Sequence, residues 1–85
     1  MTMRVELDAL RLQTKDEAHE YLRGALNFPE YYGGNLDALH DCLTELDDVQ
    51  VEFVNTEKVS GSYFARVMEV FRDSAEENPG LKVLA

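Results

Sequence analysis

Apolar and polar residues alternate along three short stretches of this chain, and the alternation predicts three strands. From Met1 to Asp8 the odd positions are apolar and the even positions polar, the period of two that gives a strand one buried face. Residues 49–53 alternate in the same way, and a brief third strand follows at residues 81–85. Because none of the three is a continuous apolar run, we expect helices to cover one face of the sheet and leave the other comparatively polar.

Apolar residues at helical spacing predict three helices. Thr14, with Glu17 three residues later, forms a capping box that begins the first helix. Asn35 is a good N-cap for the second, which makes Leu36 its first helical residue. The side chains expected to face inward along the three helices in turn are Ala18, Tyr21, Leu22, Ala25 and Leu26, then Leu36, Leu39, Leu43 and Leu46, then Phe64, Val67, Met68, Phe71 and Ala75.

The boundaries of the third helix complete the predicted architecture. We expect this helix to start at Ser60 or Gly61 and to stop at Asn78-Pro79-Gly80, with at most one turn of helix before it, between Thr56 and Val59. The order strand, two helices, strand, helix, strand implies parallel pairing through right-handed crossovers. The predicted fold class is α/β: a three-stranded parallel sheet with three main helices packed on one face, in a single domain over residues 1–85.

The charge of the chain narrows the class of its partners. Seventeen acidic and eight basic residues give a net charge of −9. No basic surface is then available for direct nucleic-acid binding, whereas a basic protein would fit. The simpler account of the same charge is solubility. An acidic surface also disfavours self-association, so we expect a monomer when the protein is free.

The sequence favours a cytoplasmic protein without membrane contact. Residues 1–7 lack the basic and apolar regions of a signal peptide, and no apolar run approaches transmembrane length. The single cysteine, Cys42, excludes an internal disulfide framework. Its place beside the leucines of the second helix predicts a buried, reduced thiol.

Groups that could support catalysis are sparse. His19 lies between Ala18 and Glu20 on the first helix, where we expect an exposed, solvated imidazole. His40 shares a helix face with Asp37 and Asp41, but three ligands on one helix rarely converge on a metal ion without a partner from another element. We therefore expect no enzymatic activity and no metal or cofactor.

The second helix and the loop before it carry the features that a purely structural account explains poorly. Asp37 and Asp41 lie one turn apart, which costs an isolated helix about 0.2–0.5 kcal/mol. The helix dipole accounts for Asp37 in the first turn, but it has decayed at Asp41. Of the neighbouring Tyr31 and Tyr32, we expect one ring to pack inward and the other to face solvent.

These residues carry a family resemblance. The run Pro29-Glu30-Tyr31-Tyr32-Gly33, followed by Asn35-Leu36-Asp37-Ala38-Leu39 and Asp41-Cys42-Leu43, resembles the signature of the barstar family, intracellular inhibitors of the bacterial ribonuclease barnase. A weaker match at Val70-Phe71-Arg72-Asp73 extends the resemblance into the last helix. The order of elements agrees from end to end.

The resemblance implies that the chain covers the active site of a basic extracellular or toxin ribonuclease of the barnase kind. Asp41 would enter the phosphate site, Tyr31 would pack on the side of the catalytic histidine, Asp37 would pair with a basic rim residue, and Asp73 would meet an arginine. Together with the helix faces around them, the expected partner-binding residues are Tyr31, Gly33, Asn35, Leu36, Asp37, His40, Asp41, Thr44, Val70, Asp73 and Glu77.

Three positions depart from the family pattern. His40 replaces a tryptophan, Asp73 a glutamate, and Gly34 an acidic residue of the prototype. We therefore expect a nuclease that resembles barnase in active-site charge and differs at the rim. An alternative interpretation is an acidic immunity or protein-interaction module for another basic toxin or partner, which would keep the fold and lose only the active-site plug.

Overall fold

The structure, a computed structural model, describes residues 2–84. Strands and helices follow the predicted order, and the turn of helix expected after the second strand is confirmed. A further short turn, after the first strand, was not predicted. The elements are β1 (Met3–Asp8), α1 (Lys15–Ala25), α2 (Leu36–Thr44), β2 (Val49–Val54), α3 (Tyr63–Glu77) and β3 (Leu81–Leu84), with 3-10 turns at Ala9–Arg11 and Thr56–Lys58.

One sheet holds all three strands, in the order β1-β2-β3 and with parallel pairing throughout. Leu7 pairs with Phe53, and Val51 lies beside both Val5 and Val83. These apolar side chains share one face, because alternate residues of a strand point to opposite sides. The other face carries Arg4, Glu6, Gln50, Glu52, Lys82 and Leu84. The predicted α/β class with a three-stranded parallel sheet is confirmed.

The core lies between the apolar face of the sheet and the helices. Val51 of β2, Leu22 of α1, Leu39 of α2 and Phe71 of α3 are all completely buried in one cluster. Burying a side chain of this size stabilises the fold by about 1.5–3 kcal/mol relative to leaving it exposed. Among the helices of residues 2–84, none is long and apolar enough to span a membrane.

The inward face of β1 is shorter than predicted. Met3 is 45% exposed rather than buried, because it is the first residue of an edge strand, whereas Leu7 further along is completely buried. Met1 and Ala85, which the alternation assigned to the first and third strands, lie outside the described residues.

The capping of the first helix and the start of the third differ from prediction. Thr14 occupies the N-cap of α1, but its side chain makes no capping hydrogen bond, so the capping box is wrong. The Glu17 carboxylate instead lies 3.4 Å from Nε of Arg11. Helix α3 begins at Tyr63 rather than at Ser60 or Gly61, because Gly61 has a φ of +103°, which is incompatible with a right-handed helix.

Asn78 joins the ends of α2 and α3 to the start of β3. Its Nδ2 donates to the carbonyls of Leu43 at 3.0 Å and Leu46 at 2.7 Å, at the C-terminal end of α2. The Leu43 carbonyl also accepts from the Leu46 amide at 3.3 Å. Its Oδ1 accepts from the Gly80 amide at 2.9 Å. One side chain therefore fixes the position of α2 relative to the C-terminal elements.

Replacing Asn78 by alanine should lower the free energy of unfolding by about 1–3 kcal/mol, because partly buried carbonyls lose their donor. Urea denaturation measures the change. Asn78→Asp keeps the acceptor for Gly80 but lacks the amide donor, so a comparable loss in that variant assigns the effect to Leu43 and Leu46. Glu76→Ala, at an exposed position of α3, is the control. A loss in Asn78→Ala no larger than in this control would contradict the assignment.

Candidate functional site

Helix α2 is held so that its acidic face points outward. The Oδ1 of Asn35 accepts from the Ala38 amide at 2.7 Å, which confirms the predicted N-cap. Leu39 and Leu43 are completely buried. With the leucine side of α2 turned to the core, the side chain of Asp41 on the opposite side is 86% exposed. The leucines therefore determine the direction in which the carboxylates project.

The structure places most of the predicted partner-binding residues at the surface of α2, α3 and the preceding loop. The exposed members are Tyr31, Gly33, Asn35, Asp37, Asp41, Asp73 and Glu77, and the half-buried members are Leu36, His40, Thr44 and Val70. Within residues 2–84, no lysine or arginine lies within 4.0 Å of the Asp37 or Asp41 carboxylate. Both carboxylates are thus available to a partner.

Asp37 and Asp41 nevertheless lie in different surroundings. Asp37 lines a surface cavity of about 390 Å³ that Lys15 and Arg66 of the same chain also line. No lysine or arginine lines the groove beside Asp41. The positive group nearest to Asp41 is instead the imidazole of His40, whose Nδ1 lies 3.9 Å from its Oδ1.

The loop between α1 and α2 presents one tyrosine and buries the other, as expected. Tyr31 is 88% exposed. The Tyr32 ring packs against the core, with its centroid 4.9 Å from that of Phe28. A groove of about 270 Å³ separates the exposed loop from α2, and it is lined by Pro29, Tyr31, Tyr32, Gly33, Ala38, Asp41, Cys42 and Glu45.

Glu45 is a residue of this groove that the sequence reasoning did not include. It follows Asp37 and Asp41 at a constant spacing of four, so it continues the same helix face at the C-cap of α2. Burial raises the pKa of the Cys42 thiol, and the neighbouring Glu45 and Asp41 carboxylates raise it further. This spacing of four was the signal in the sequence that could have found Glu45.

His40 connects the acidic faces of α2 and α3. Its Nε2 lies 2.6 Å from Oε2 of Glu77, and its Nδ1 lies 3.9 Å from Oδ1 of Asp41. The hydrogen bond to Glu77 raises the pKa of His40, with smaller contributions from the charges of Glu77, Asp41 and Asp73. The structure therefore brings four of the predicted residues into one electrostatic cluster.

The prediction of a solvated His19 is wrong. Its ring is only 4% exposed, with Nδ1 2.5 Å from the hydroxyl of Tyr32 and Nε2 2.6 Å from the hydroxyl of Tyr63. The spacing to Leu22 and Leu26, three and seven residues on, places His19 on the buried face of α1. That spacing was the signal in the sequence, but the two hydroxyls that make burial of the ring favourable come from distant elements.

None of these groups is arranged as a metal centre. Over residues 2–84, no three or more histidine, cysteine, aspartate or glutamate side chains are placed to hold a metal ion. The Glu77 carboxylate that reaches His40 is engaged in a hydrogen bond instead. What the arrangement offers is an acidic surface with an exposed aromatic ring, which suits the binding of a basic protein.

Two comparisons relate the chain to known proteins. A family model described as Barstar (barnase inhibitor) matches residues 2–84. The protein named "Putative ribonuclease inhibitor YrdF" from Bacillus subtilis (strain 168) is 38% identical over 81 aligned positions, which cover 87% of each chain.

The hydrogen bond between His40 and Glu77 should be visible in the titration of His40. We expect a pKa above the ordinary histidine value of about 6.5, and a decrease toward that value in Glu77→Gln. The stability that the pair contributes is then complete below about pH 6.5 and is lost as the pH rises through the raised pKa. NMR titration of the imidazole measures the pKa of His40 in both proteins. Glu76→Gln removes one negative charge from the adjacent residue and is the control. An equal decrease in the pKa of His40 in this variant would contradict the assignment to Glu77.

Proposed function

The chain belongs to the barstar family, and from this premise we propose that it is a cytoplasmic inhibitor of a barnase-like ribonuclease. In this proposal, α2 and the tyrosine-glycine loop before it cover the nuclease active site. The observation that supports it most directly is the outward carboxylate of Asp41, which no lysine or arginine of residues 2–84 contacts, beside the exposed ring of Tyr31. The inhibitor performs no chemistry of its own.

The physical basis of the proposed inhibition is imitation of RNA phosphate. A ribonuclease binds a polyanion with cationic side chains, and hydrogen bonds between such groups and a carboxylate are among the strongest in proteins. Asp37, Asp41 and Glu45 place three negative charges along one face of α2. In a water-excluded cleft Asp41 would occupy the place of a phosphate with the other two charges beside it, and RNA could not bind there at the same time.

The other residues have supporting roles in the proposed interface. Asp41 enters the phosphate site, Asp37 pairs with a basic residue at the rim, and Asp73 meets an arginine from the flank. Tyr31 supplies a rigid aromatic surface, which is a common feature of residues that dominate binding energy. The nuclease would also contact further residues of the loop, of α2 with its N-cap, and of α3. These are Gly33, Asn35, Leu36, His40, Thr44, Val70 and Glu77.

The exposed loop also allows a close approach by the nuclease. Gly33 has no side chain between the groove and the partner, and a Cβ built there would lie 3.3 Å from the Cβ of Ala38. A larger residue at this position would displace α2 or narrow the groove. The glycine therefore suits both the packing of the loop and the access of a partner side chain.

The proposal is tested by measuring inhibition of RNA cleavage by barnase and by a panel of barnase-type ribonucleases. We expect stoichiometric inhibition of at least one enzyme. Asp41→Ala should weaken it by about 2–5 kcal/mol, or roughly 30- to 5,000-fold, because the cations that held the carboxylate stay buried and unpaired. The barnase–barstar complex is the measured example of losses of this size.

Glu57→Ala provides a matched control. Glu57 is an exposed acid on the 3-10 turn that precedes α3. Its removal changes the net charge as much as Asp41→Ala does and should leave inhibition within about twofold. Equal effects of the two variants in titration calorimetry would show that Asp41 is not the plug. Absence of inhibition across the whole panel would favour the alternative, an acidic module for another basic partner.

Association with the nuclease should slow as salt is added. The net charge of −9 attracts a positively charged cleft, and salt screens this attraction beyond about 10 Å at 0.1 M. Stopped-flow mixing at increasing sodium chloride concentration measures the association rate. A rate independent of salt would contradict steering by the acidic face, since removal of a long-range attraction must show in the encounter step.

A further inference from the structure

His19 links three separate parts of the fold. It lies on α1, its Nδ1 reaches the hydroxyl of Tyr32 in the loop before α2, and its Nε2 reaches the hydroxyl of Tyr63, the first residue of α3. The ring centroids lie 5.7 Å and 6.0 Å from those of the two tyrosines. Both polar atoms of a buried imidazole are therefore satisfied, and both by residues far away in the sequence.

We propose that His19 is a positioning residue. By hydrogen-bonding Tyr32 and Tyr63 at once, it holds the loop of residues 28–34 in the arrangement that the partner recognises. This inference rests on the proposed function, because the loop carries Tyr31 and Gly33 of the proposed interface. His19 itself is buried and touches no partner. It acts through Tyr32, the immediate neighbour of both interface residues.

The loop depends on contacts of this kind because it contains no helix or strand. Its backbone is tied by the Phe28 amide, which donates to the Arg23 carbonyl at 2.9 Å, and by the Tyr32 amide, which donates to the Pro29 carbonyl at 3.0 Å. These bonds fix the start of the loop and its inner turn. The hydrogen bond to His19 adds a directional attachment to α1, which apolar packing of the Tyr32 ring cannot supply alone.

Burial favours a neutral imidazole in this hydrogen-bond chain. Neutral histidine has one N–H donor and one acceptor nitrogen, so one tyrosine hydroxyl donates to the ring and the other accepts from it. Protonation makes both nitrogens donors, so the hydroxyl that donated must rotate its hydrogen away and accept instead, and the new positive charge is buried, which is unfavourable. Burial lowers the pKa of His19, the nearby Lys15 ammonium lowers it further, and Asp16 opposes them.

The direction of the pH effect follows from this lowered pKa. Below about pH 6.5 the unfolded chain binds a proton that the folded chain does not, so the contribution of His19 is complete above that pH and is lost as the pH falls through the lowered pKa. The charged and titratable groups around the ring lie on α1, on the loop and on α3. They are Lys15, Asp16, Glu20, Arg23, Glu30, Tyr32 and Tyr63.

The sharpest test removes a hydroxyl that lies outside the loop. Tyr63→Phe keeps the ring on α3 and removes the partner of His19 Nε2. Tyr21→Phe is the matched control, because it also loses one tyrosine hydroxyl bond, to the Asp8 amide at 3.0 Å. We expect hydrogen exchange of the Tyr32 amide, which donates to the Pro29 carbonyl, to accelerate by about tenfold in Tyr63→Phe only. Equal acceleration in both variants would overturn the proposal.

Variants at His19 provide the pH readout. His19→Leu removes both hydrogen bonds and should accelerate loop exchange more than Tyr63→Phe. His19→Gln restores a donor and an acceptor without a titrating group, so it should recover part of the protection. Loop protection in the wild type, corrected for intrinsic exchange, should fall below about pH 6.5, whereas His19→Gln should show no such fall. A wild-type profile parallel to that of His19→Gln would overturn the proposal.

Binding of barnase separates this inference from the proposed function. If barnase is inhibited, Tyr63→Phe should slow its association by about tenfold relative to Tyr21→Phe, because a loosened loop must order on binding. Unchanged association with a loosened loop would overturn the positioning role while leaving the inhibitor function intact. If neither barnase nor the ribonuclease panel is inhibited, the proposed function fails, and the exchange experiment still decides whether His19 holds the loop.

Discussion

The burial of Leu39 and Leu43 is the constraint on which the surface of this protein depends. An isolated helix of nine residues is marginal in water, so α2 exists because its apolar stripe packs on the core. Two buried leucines contribute about 3–6 kcal/mol, whereas repulsion between Asp37 and Asp41 costs only about 0.2–0.5 kcal/mol. Packing therefore outweighs repulsion by roughly tenfold. An acidic face that a free helix would avoid is held outward by the leucines behind it.

Polar contacts between elements fix the relative positions of helices that apolar packing has already brought together. Asn78 donates to the carbonyls at the end of α2, His40 joins α2 to α3 through Glu77, and His19 joins α1 to the loop and to α3. His19 is the buried one of the three, and both of its ring nitrogens have partners. Because hydrogen bonds are directional, they fix the relative positions of elements that apolar contacts alone would allow to slide.

Membership of the barstar family sets the broad role, and the individual side chains determine how this member would differ from others. His40 is engaged with Glu77, so part of the charge on α3 is shared within the chain rather than offered to a partner. Glu45 adds a carboxylate beside the groove that Tyr31 borders. Under the proposed function, the centre of the interface follows the family, whereas its edge is specific to the nuclease that this chain recognises.

Local patterns in the sequence were enough to determine the elements and the centre of the candidate surface. Alternation gave the strands, leucine spacing gave the buried side of α2, and Asn35 gave its first turn, because each depends on neighbours within about one helical turn or strand. His19, Glu77 and Asn78 could not be assigned in this way. Their partners lie 13 to 44 residues away for His19, 37 for Glu77 and 32 to 35 for Asn78. The tertiary structure alone decided these contacts, because the favourable state of a polar side chain depends on which distant donors and acceptors the fold brings to it.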